Sequence, residues 1–211
     1  MAQLYPVFLD LTGRRVLIVG GGNVAQRKVA QLLPAQAHIV LVSPDATDQI
    51  IQWAQNGQIE WLQRPFLPGD TRNAWLVVAS SDQPPVNRAV RQEADQQGIF
   101  CNVVDVPALC TFQAPAVMRQ GPLAIAISTA GASPALASRI RKDLEEQYGP
   151  CYRTLLAALA RLRTTLKAQY PHDPQKRQTL LEGFLQSPAL QLLQQNDQQA
   201  FDALLDEWLK A

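Results

Sequence analysis

Two short stretches hold residues whose types and spacing could do chemistry. One is Gly20-Gly21-Gly22-Asn23-Val24-Ala25, three glycines leading into a run with helical spacing. The other is Cys101-Asn102-Val103-Val104-Asp105-Val106-Pro107, an apolar run interrupted by one carboxylate. The first fits GxGxxA. Gly20 permits a tight turn, Gly22 lets backbone approach a ligand, and Ala25 lets a helix lie close on a strand. The N–H groups at the start of that helix attract an anion. The motif follows the strand-like run RRVLIV and opens a helical pattern, the context a dinucleotide pyrophosphate requires. Gly20, Gly22, Asn23 and Val24 are therefore the expected pyrophosphate contacts. Without a ligand the same residues would form only a glycine-rich turn.

An acid about 20 residues beyond such a loop ordinarily holds the adenosine ribose. Here that place has Ser43, Pro44 and Asp45. Ser43 and the backbone around Pro44 and Asp45 are expected to line the adenosine side. The stretch SPDATDQ has two acids and no base, and a ribose 2′-phosphate would call for Arg or Lys, so NAD is favoured over NADP. The alternative is that Asp45 caps a helix over 45–56. Ligands of open parallel sheets bind beyond the carboxyl ends of strands, where Asp105 falls. Between Val104 and Val106 it is expected to be buried, which would raise its pKa as suits a general base. Alternatively it caps the turn before Pro107. Ser80 and Ser81, with Asp82, are either a wall of the cofactor site or the N-cap of a helix over 84–97.

These residues need a scaffold, and the apolar runs supply one. RVLIV, HIVLV, IEWLQ, WLVVAS and IFCNVV alternate with helical patterns over 22–34, 45–56 and 84–97. That alternation predicts an α/β domain, a Rossmann-type parallel sheet with helices on both faces. RPFLPGDTRN reads as a loop. TFQAPAVM and LAIAIS, separated by RQGP, read as a hairpin. A helix follows, with Ser133 as N-cap, Pro134 at its first position and Gly149 beyond its end. Leu136, Ile140 and Leu144 form its apolar face. LAIAIS is apolar on both faces, so it is expected to pair with a second copy of the chain; the alternative is that it extends the first sheet. The domains read as 1–112, dinucleotide-binding; 113–149, a small α+β dimerisation region; and 150–211, an all-helical C-terminal domain.

Composition narrows the function classes. A formal net charge of +1 gives no basic field for nucleic acid or an anionic membrane. No apolar run approaches the roughly 20 residues of a membrane span. The start MAQLYPVFLDL lacks the basic region of a signal peptide. Cys101, Cys110 and Cys151 form no CxxC and read as reduced thiols of a cytoplasmic protein. No resident metal site is expected, because His38 and His172 stand apart from the cysteines. No Tyr is followed by Lys four residues on, and no histidine ends a strand, so two common dehydrogenase devices are missing. HExxH, GxSxG and a Walker loop are missing too.

YPVFLDLTGRRVLIVGGGNVAQRK, IFCNVVDVP and PLAIAISTAGASPALASRIR together resemble the precorrin-2 dehydrogenase / sirohydrochlorin ferrochelatase family, the N-terminal module of siroheme synthase. The resemblance covers 1–150 in motifs and the remainder in helical character. It stops at residue 211, so the methyltransferase half of the fused enzymes is expected to be absent. It implies a homodimer that uses NAD to oxidise precorrin-2 to sirohydrochlorin, and it raises iron insertion, with Fe2+ as substrate, as a second activity that the sequence leaves open. It implies that Asp105 is catalytic, and that Ser128 and Thr129 lie in the tetrapyrrole cleft. Arg139, in a basic run, could meet substrate carboxylates. The alternative is a NAD-binding sensor without catalysis.

Overall fold

In the computed structural model the chain forms two compact units, Met1–Ala114 and Pro115–Ala211, of which residues 4–210 are described. In the first unit β1 (Arg15–Val19), β2 (His38–Val42), β3 (Glu60–Leu62), β4 (Leu76–Ala79) and β5 (Phe100–Val103) form one parallel sheet in the order β3-β2-β1-β4-β5. Helices α1 (Asn23–Leu32), α2 (Asp48–Gln55) and α3 (Pro84–Gln96) cover it.

The period-two alternation of strands sorts the core. Val16, Ile18, Ile39, Leu41 and Val78 pack with Ala25 and Val29 of α1 and Ile50 of α2. Leu17, Val19, Val40, Val42, Val77 and Ala79 pack on the other face with Val90 and Ala94 of α3. Both faces being dry, the central strands are continuous apolar runs. Each fully buried side chain of this kind contributes about 1.5–3 kcal/mol.

One helix start and one helix cap differ from the sequence expectation. α2 begins at Asp48, not 45, because the Thr47 N–H donates to the Gly21 carbonyl at 3.0 Å, which holds the non-helical segment 43–46 against the glycine loop. Asp45 therefore caps nothing; Thr47 is the N-cap residue. Similarly, α3 has Gln83 at its N-cap and prolines in its first turn, and the Ser81 hydroxyl accepts from the Gln83 N–H instead of capping the helix.

No helix joins β3 to β4. Two carboxylates hold this crossover instead. Asp70 receives both guanidinium nitrogens of Arg64, at 2.7 and 2.8 Å, and the Leu67 N–H at 2.8 Å. Glu93, on α3, accepts from the Gly69 and Thr71 N–H groups at 3.0 and 3.1 Å and from the Thr71 hydroxyl. The Arg64 hydrogen bonds hold the Asp70 carboxyl below its ordinary range. For Glu93 desolvation pushes upward, but the Thr71 and Gly69 donors outweigh it and the pKa falls.

In the second unit β6 (Ala116–Gln120) and β7 (Leu123–Ile127) pair antiparallel around Gly121-Pro122, with Gly121 at φ 59° as the two-residue turn demands. The first strand is shorter than TFQAPAVM. Thr111 belongs to the first unit: its N–H donates to the Cys101 carbonyl at 2.8 Å, and its hydroxyl accepts from the Cys101 N–H at 2.7 Å. Four more helices follow α4 (Pro134–Gln147): α5 (Cys151–Gln169), α6 (Pro174–Gln186), α7 (Ala189–Gln194) and α8 (Gln198–Lys210). Leu162, Leu166, Phe184 and Phe201 form their core. The Ser133 hydroxyl caps α4 by accepting from the Leu136 N–H at 3.2 Å. Leu136 itself, expected to be on the apolar face, is 49% exposed, and Ala137 is the buried residue of α4. Leu123, Ile125 and Ile127 of β7 are only half-buried.

A carboxylate whose folded pKa is depressed stabilises the fold above its unfolded pKa, and that stability is lost as pH falls through the folded value. Asp70 and Glu93 should therefore make the protein most acid-sensitive below about pH 4, the ordinary carboxylate range. Glu93→Gln should cost about 1–3 kcal/mol in urea unfolding at neutral pH, since one amide oxygen cannot serve three donors. It should also flatten the acid limb. Equal stability of the two proteins from neutral to acid pH would show that Glu93 does not hold the crossover.

Candidate functional site

The strand order reverses between β1 and β4, and ligands of such sheets bind at that switch point, beyond the carboxyl ends. The glycine loop leaves β1 there, and Ser80-Ser81 leave β4 beside it. Gly20 has φ 116°, and a Cβ on it would lie 2.6 Å from the Ser80 carbonyl oxygen. A Cβ on Gly21 would lie 2.0 Å from the Asp45 carbonyl oxygen. Two consecutive positions thus have no room for a side chain. Gly22 differs: a Cβ there would meet nothing within 4 Å. It is the N-cap of α1, extended at φ −81° and ψ −172°, without a side-chain cap, and no acidic residue stands in the first turn. The space beside Gly22 is open, and Asn23 after it is exposed. Gly22, Asn23 and Val24 fit a pyrophosphate, held by peptide N–H groups and the helix dipole.

The walls of this cradle are set by buried polar groups. Asn87, 9% exposed, grips Ser81 twice: its Oδ1 accepts from the Ser81 N–H at 3.2 Å and its Nδ2 donates to the Ser81 carbonyl at 2.9 Å. The Ser80 hydroxyl donates to the Val19 carbonyl at 3.1 Å. Across the loop, Ser43 is 8% exposed, with its Oγ beside Gly21, and Trp61 Nε1 donates to the Ser43 carbonyl at 3.0 Å. Pro44 and Asp45 are exposed. The sequence pattern did not single out Asn87, although a signal was there: 87, 90 and 94 share the sheet-facing side of α3, and only Asn87 is polar.

Asp105 stands just past β5, on a turn, with φ 60°. It is exposed, not buried as the flanking valines suggested, because the chain turns over at Val104 and the sheet ends at Val103. Nearby is Lys28 of α1, half-buried, another residue the sequence reading passed over. Burial lowers its pKa, Arg27 adds to that, and Cys110 and Asp105 act in the opposite sense. In the second unit, Ser128 Oγ accepts from the Ala130 N–H and Thr129 Oγ1 from the Ser133 N–H, both at 3.1 Å. These hydroxyls tie the turn that leads into α4. Ser128 and Arg139 are exposed.

A Rossmann sheet with a pyrophosphate cradle at its switch point defines the first unit as a dinucleotide-binding domain. Comparison with known proteins agrees. A family model described as putative NAD(P)-binding matches residues 7–116; one described as the sirohaem biosynthesis protein central region matches 120–147; one described as the sirohaem synthase dimerisation region matches 152–209. The chain belongs to this NAD(P)-binding family and carries the two sirohaem regions after it in order. It is 38% identical over 204 residues to the siroheme synthase of Xylella fastidiosa (strain M12), covering 96% of this chain and 43% of that protein. It is 36% identical over 209 residues to that of Pseudoalteromonas translucida (strain TAC 125), covering 99% and 44%. The chain thus spans less than half the length of these curated relatives. The solved structure of SirC, precorrin-2 dehydrogenase, superposes with a TM-score of 0.81 at 29% identity, over 99% of this chain and 100% of that one.

The glycines separate binding from folding. Gly22→Ala should leave the melting temperature unchanged and weaken NAD binding by tenfold or more, roughly 1.4 kcal/mol, in titration calorimetry. Gly21→Ala should instead lower the melting temperature, since its Cβ meets backbone. A Gly22→Ala protein that binds NAD as the parent does would remove the close approach from the argument.

Proposed function

We propose that this chain oxidises precorrin-2 to sirohydrochlorin with NAD. The observation that carries the reading is the full-length likeness to SirC, precorrin-2 dehydrogenase, together with the fit of the glycine cradle to a dinucleotide. The substrate loses a hydride and a proton; NAD, when bound, supplies the hydride acceptor. The chain's own work is to hold and orient, and to receive the proton. Gly20, Gly22, Asn23 and Val24 hold the pyrophosphate, and the Ser80-Ser81 turn, gripped by Asn87, walls the cofactor side. Asp45, exposed and free of any capping duty, takes the adenosine ribose, while Ser43 supports the loop from below. No Arg or Lys occurs in SPDATD, which favours NAD over NADP. Asp105, at the carboxyl edge of the sheet, accepts the proton through an exposed carboxylate. Ser128, Thr129 and Arg139 contact the substrate, Arg139 through its carboxylates.

The match to the dimerisation region supports a homodimer, and the half-buried β7 gives a second copy something to cover. Among the described residues no helix is long and apolar enough to cross a membrane. The three free cysteines favour a cytoplasmic enzyme. Ferrous iron is proposed as a further substrate, inserted into sirohydrochlorin after the oxidation.

Purified protein mixed with NAD and precorrin-2, without oxygen or added metal, should yield NADH and sirohydrochlorin in equal amounts. Asp105→Asn should keep NAD affinity and lose about a hundredfold or more in kcat. Adding ferrous iron to the completed reaction should then shift the tetrapyrrole spectrum to that of the metallated product. NAD binding without NADH formation would defeat the dehydrogenase reading, and full activity of Asp105→Asn would remove that carboxylate from the mechanism.

A further inference from the structure

Asp105 is the third residue of a turn running from Val103 to Val106. The Val106 N–H donates to the Val103 carbonyl at 3.2 Å, and Asp105 takes a left-handed φ of 60°. That conformation costs an L residue roughly 1–2 kcal/mol. A glycine would adopt it freely, but the position carries a carboxylate instead. Such a turn persists only when its surroundings determine it.

The surroundings are Cys110 and Asn102. After Asp105 a short 3-10 turn, Pro107–Leu109, brings the chain back, with the Leu109 N–H on the Val106 carbonyl at 2.9 Å and the Cys110 N–H on the Pro107 carbonyl at 3.1 Å. Cys110 Sγ then lies 3.1 Å from the Val103 carbonyl oxygen and 3.4 Å from that of Val106. One S–H thus bridges the two carbonyls that bracket Asp105. Asn102, on β5, points its Nδ2 at Cys110 Sγ, at 3.5 Å, and donates to the Phe112 carbonyl at 3.1 Å. The thiol is the centre of a small network joining the strand, the turn and the returning chain.

We infer that Cys110, backed by Asn102, is a positioning residue: it latches the Val103–Val106 turn so that the Asp105 carboxylate is presented beyond the sheet edge in one orientation. The inference rests on the proposed role of Asp105. Cys110 forms no bond with substrate and transfers no electron. Its contribution is a donor in the right place, which a hydroxyl can largely replace and a methyl cannot.

The test compares Cys110→Ala with Cys110→Ser in two readouts. In amide hydrogen exchange, Cys110→Ala should speed exchange at Val106 about tenfold while the β1 and β4 amides stay protected. In precorrin-2 oxidation it should lower kcat about tenfold, with KM and the NAD dissociation constant within about twofold of the parent. Cys110→Ser should recover most of both losses. Asn102→Ala, which removes the second donor and leaves the thiol, should move both readouts the same way by less, and it carries the test should Cys110→Ala not fold. Unchanged Val106 exchange overturns the latch. Faster exchange with unchanged kcat overturns positioning, as does a Cys110→Ser protein no better than Cys110→Ala. A parent protein that does not oxidise precorrin-2 defeats the proposed function, which is a different result, and the exchange readout still decides whether the thiol holds the turn.

Discussion

Everything at the binding end of the first unit depends on one steric constraint. Immediately after β1, two successive residues have carbonyl oxygens of other segments where a Cβ would be: Ser80 behind Gly20 and Asp45 behind Gly21. This lets three chain segments meet within a few ångströms at the switch point of the sheet. The close approach delays the start of α2 until Asp48 and brings the Ser80-Ser81 turn against the loop, where Asn87 secures it. It also leaves Gly22 and Asn23, at the start of α1, exposed. The cradle is thus a by-product of packing without side chains.

The carboxyl edge of β5 is built on the opposite principle. There a residue that does have a side chain is held in a conformation suited to glycine, and hydrogen bonds from the returning chain hold it. At one strand end the chain removes side chains to bring backbone close; at the other it keeps a carboxylate in a left-handed conformation and accepts local strain. The crossover from β3 to β4 shows a related substitution, with Asp70 and Glu93 taking the place that a packed helix usually fills.

The five parallel strands, the three helices over them and the glycine loop were legible because the local signals agree with the fold: apolar runs of strand length, helical spacing between them, and glycines where the backbone must close up. What was not legible lay in tertiary contacts. Nothing local to Asp105 says that the chain turns outward at Val104, so its flanking valines pointed to burial and the structure shows exposure. The late start of α2 follows from a hydrogen bond to Gly21, 26 residues away in the chain. Asn87 was visible as one polar residue on an apolar helical face, but its partner, the backbone of Ser81, could not be read from a pattern. Leu136 follows the helical period and yet is exposed on this chain, since periodicity marks a face without saying what covers it.

The first turn of α1 contains Asn23, Val24 and Ala25, and neither an acid nor a base. Peptide N–H groups do not gain or lose protons between acid and alkaline solution, and a helix dipole does not titrate. A pyrophosphate at this place would therefore meet the same donors in acid and in alkali. The glycine cradle thus carries no titratable group of its own, and the carboxylate of Asp105 stands at another strand end.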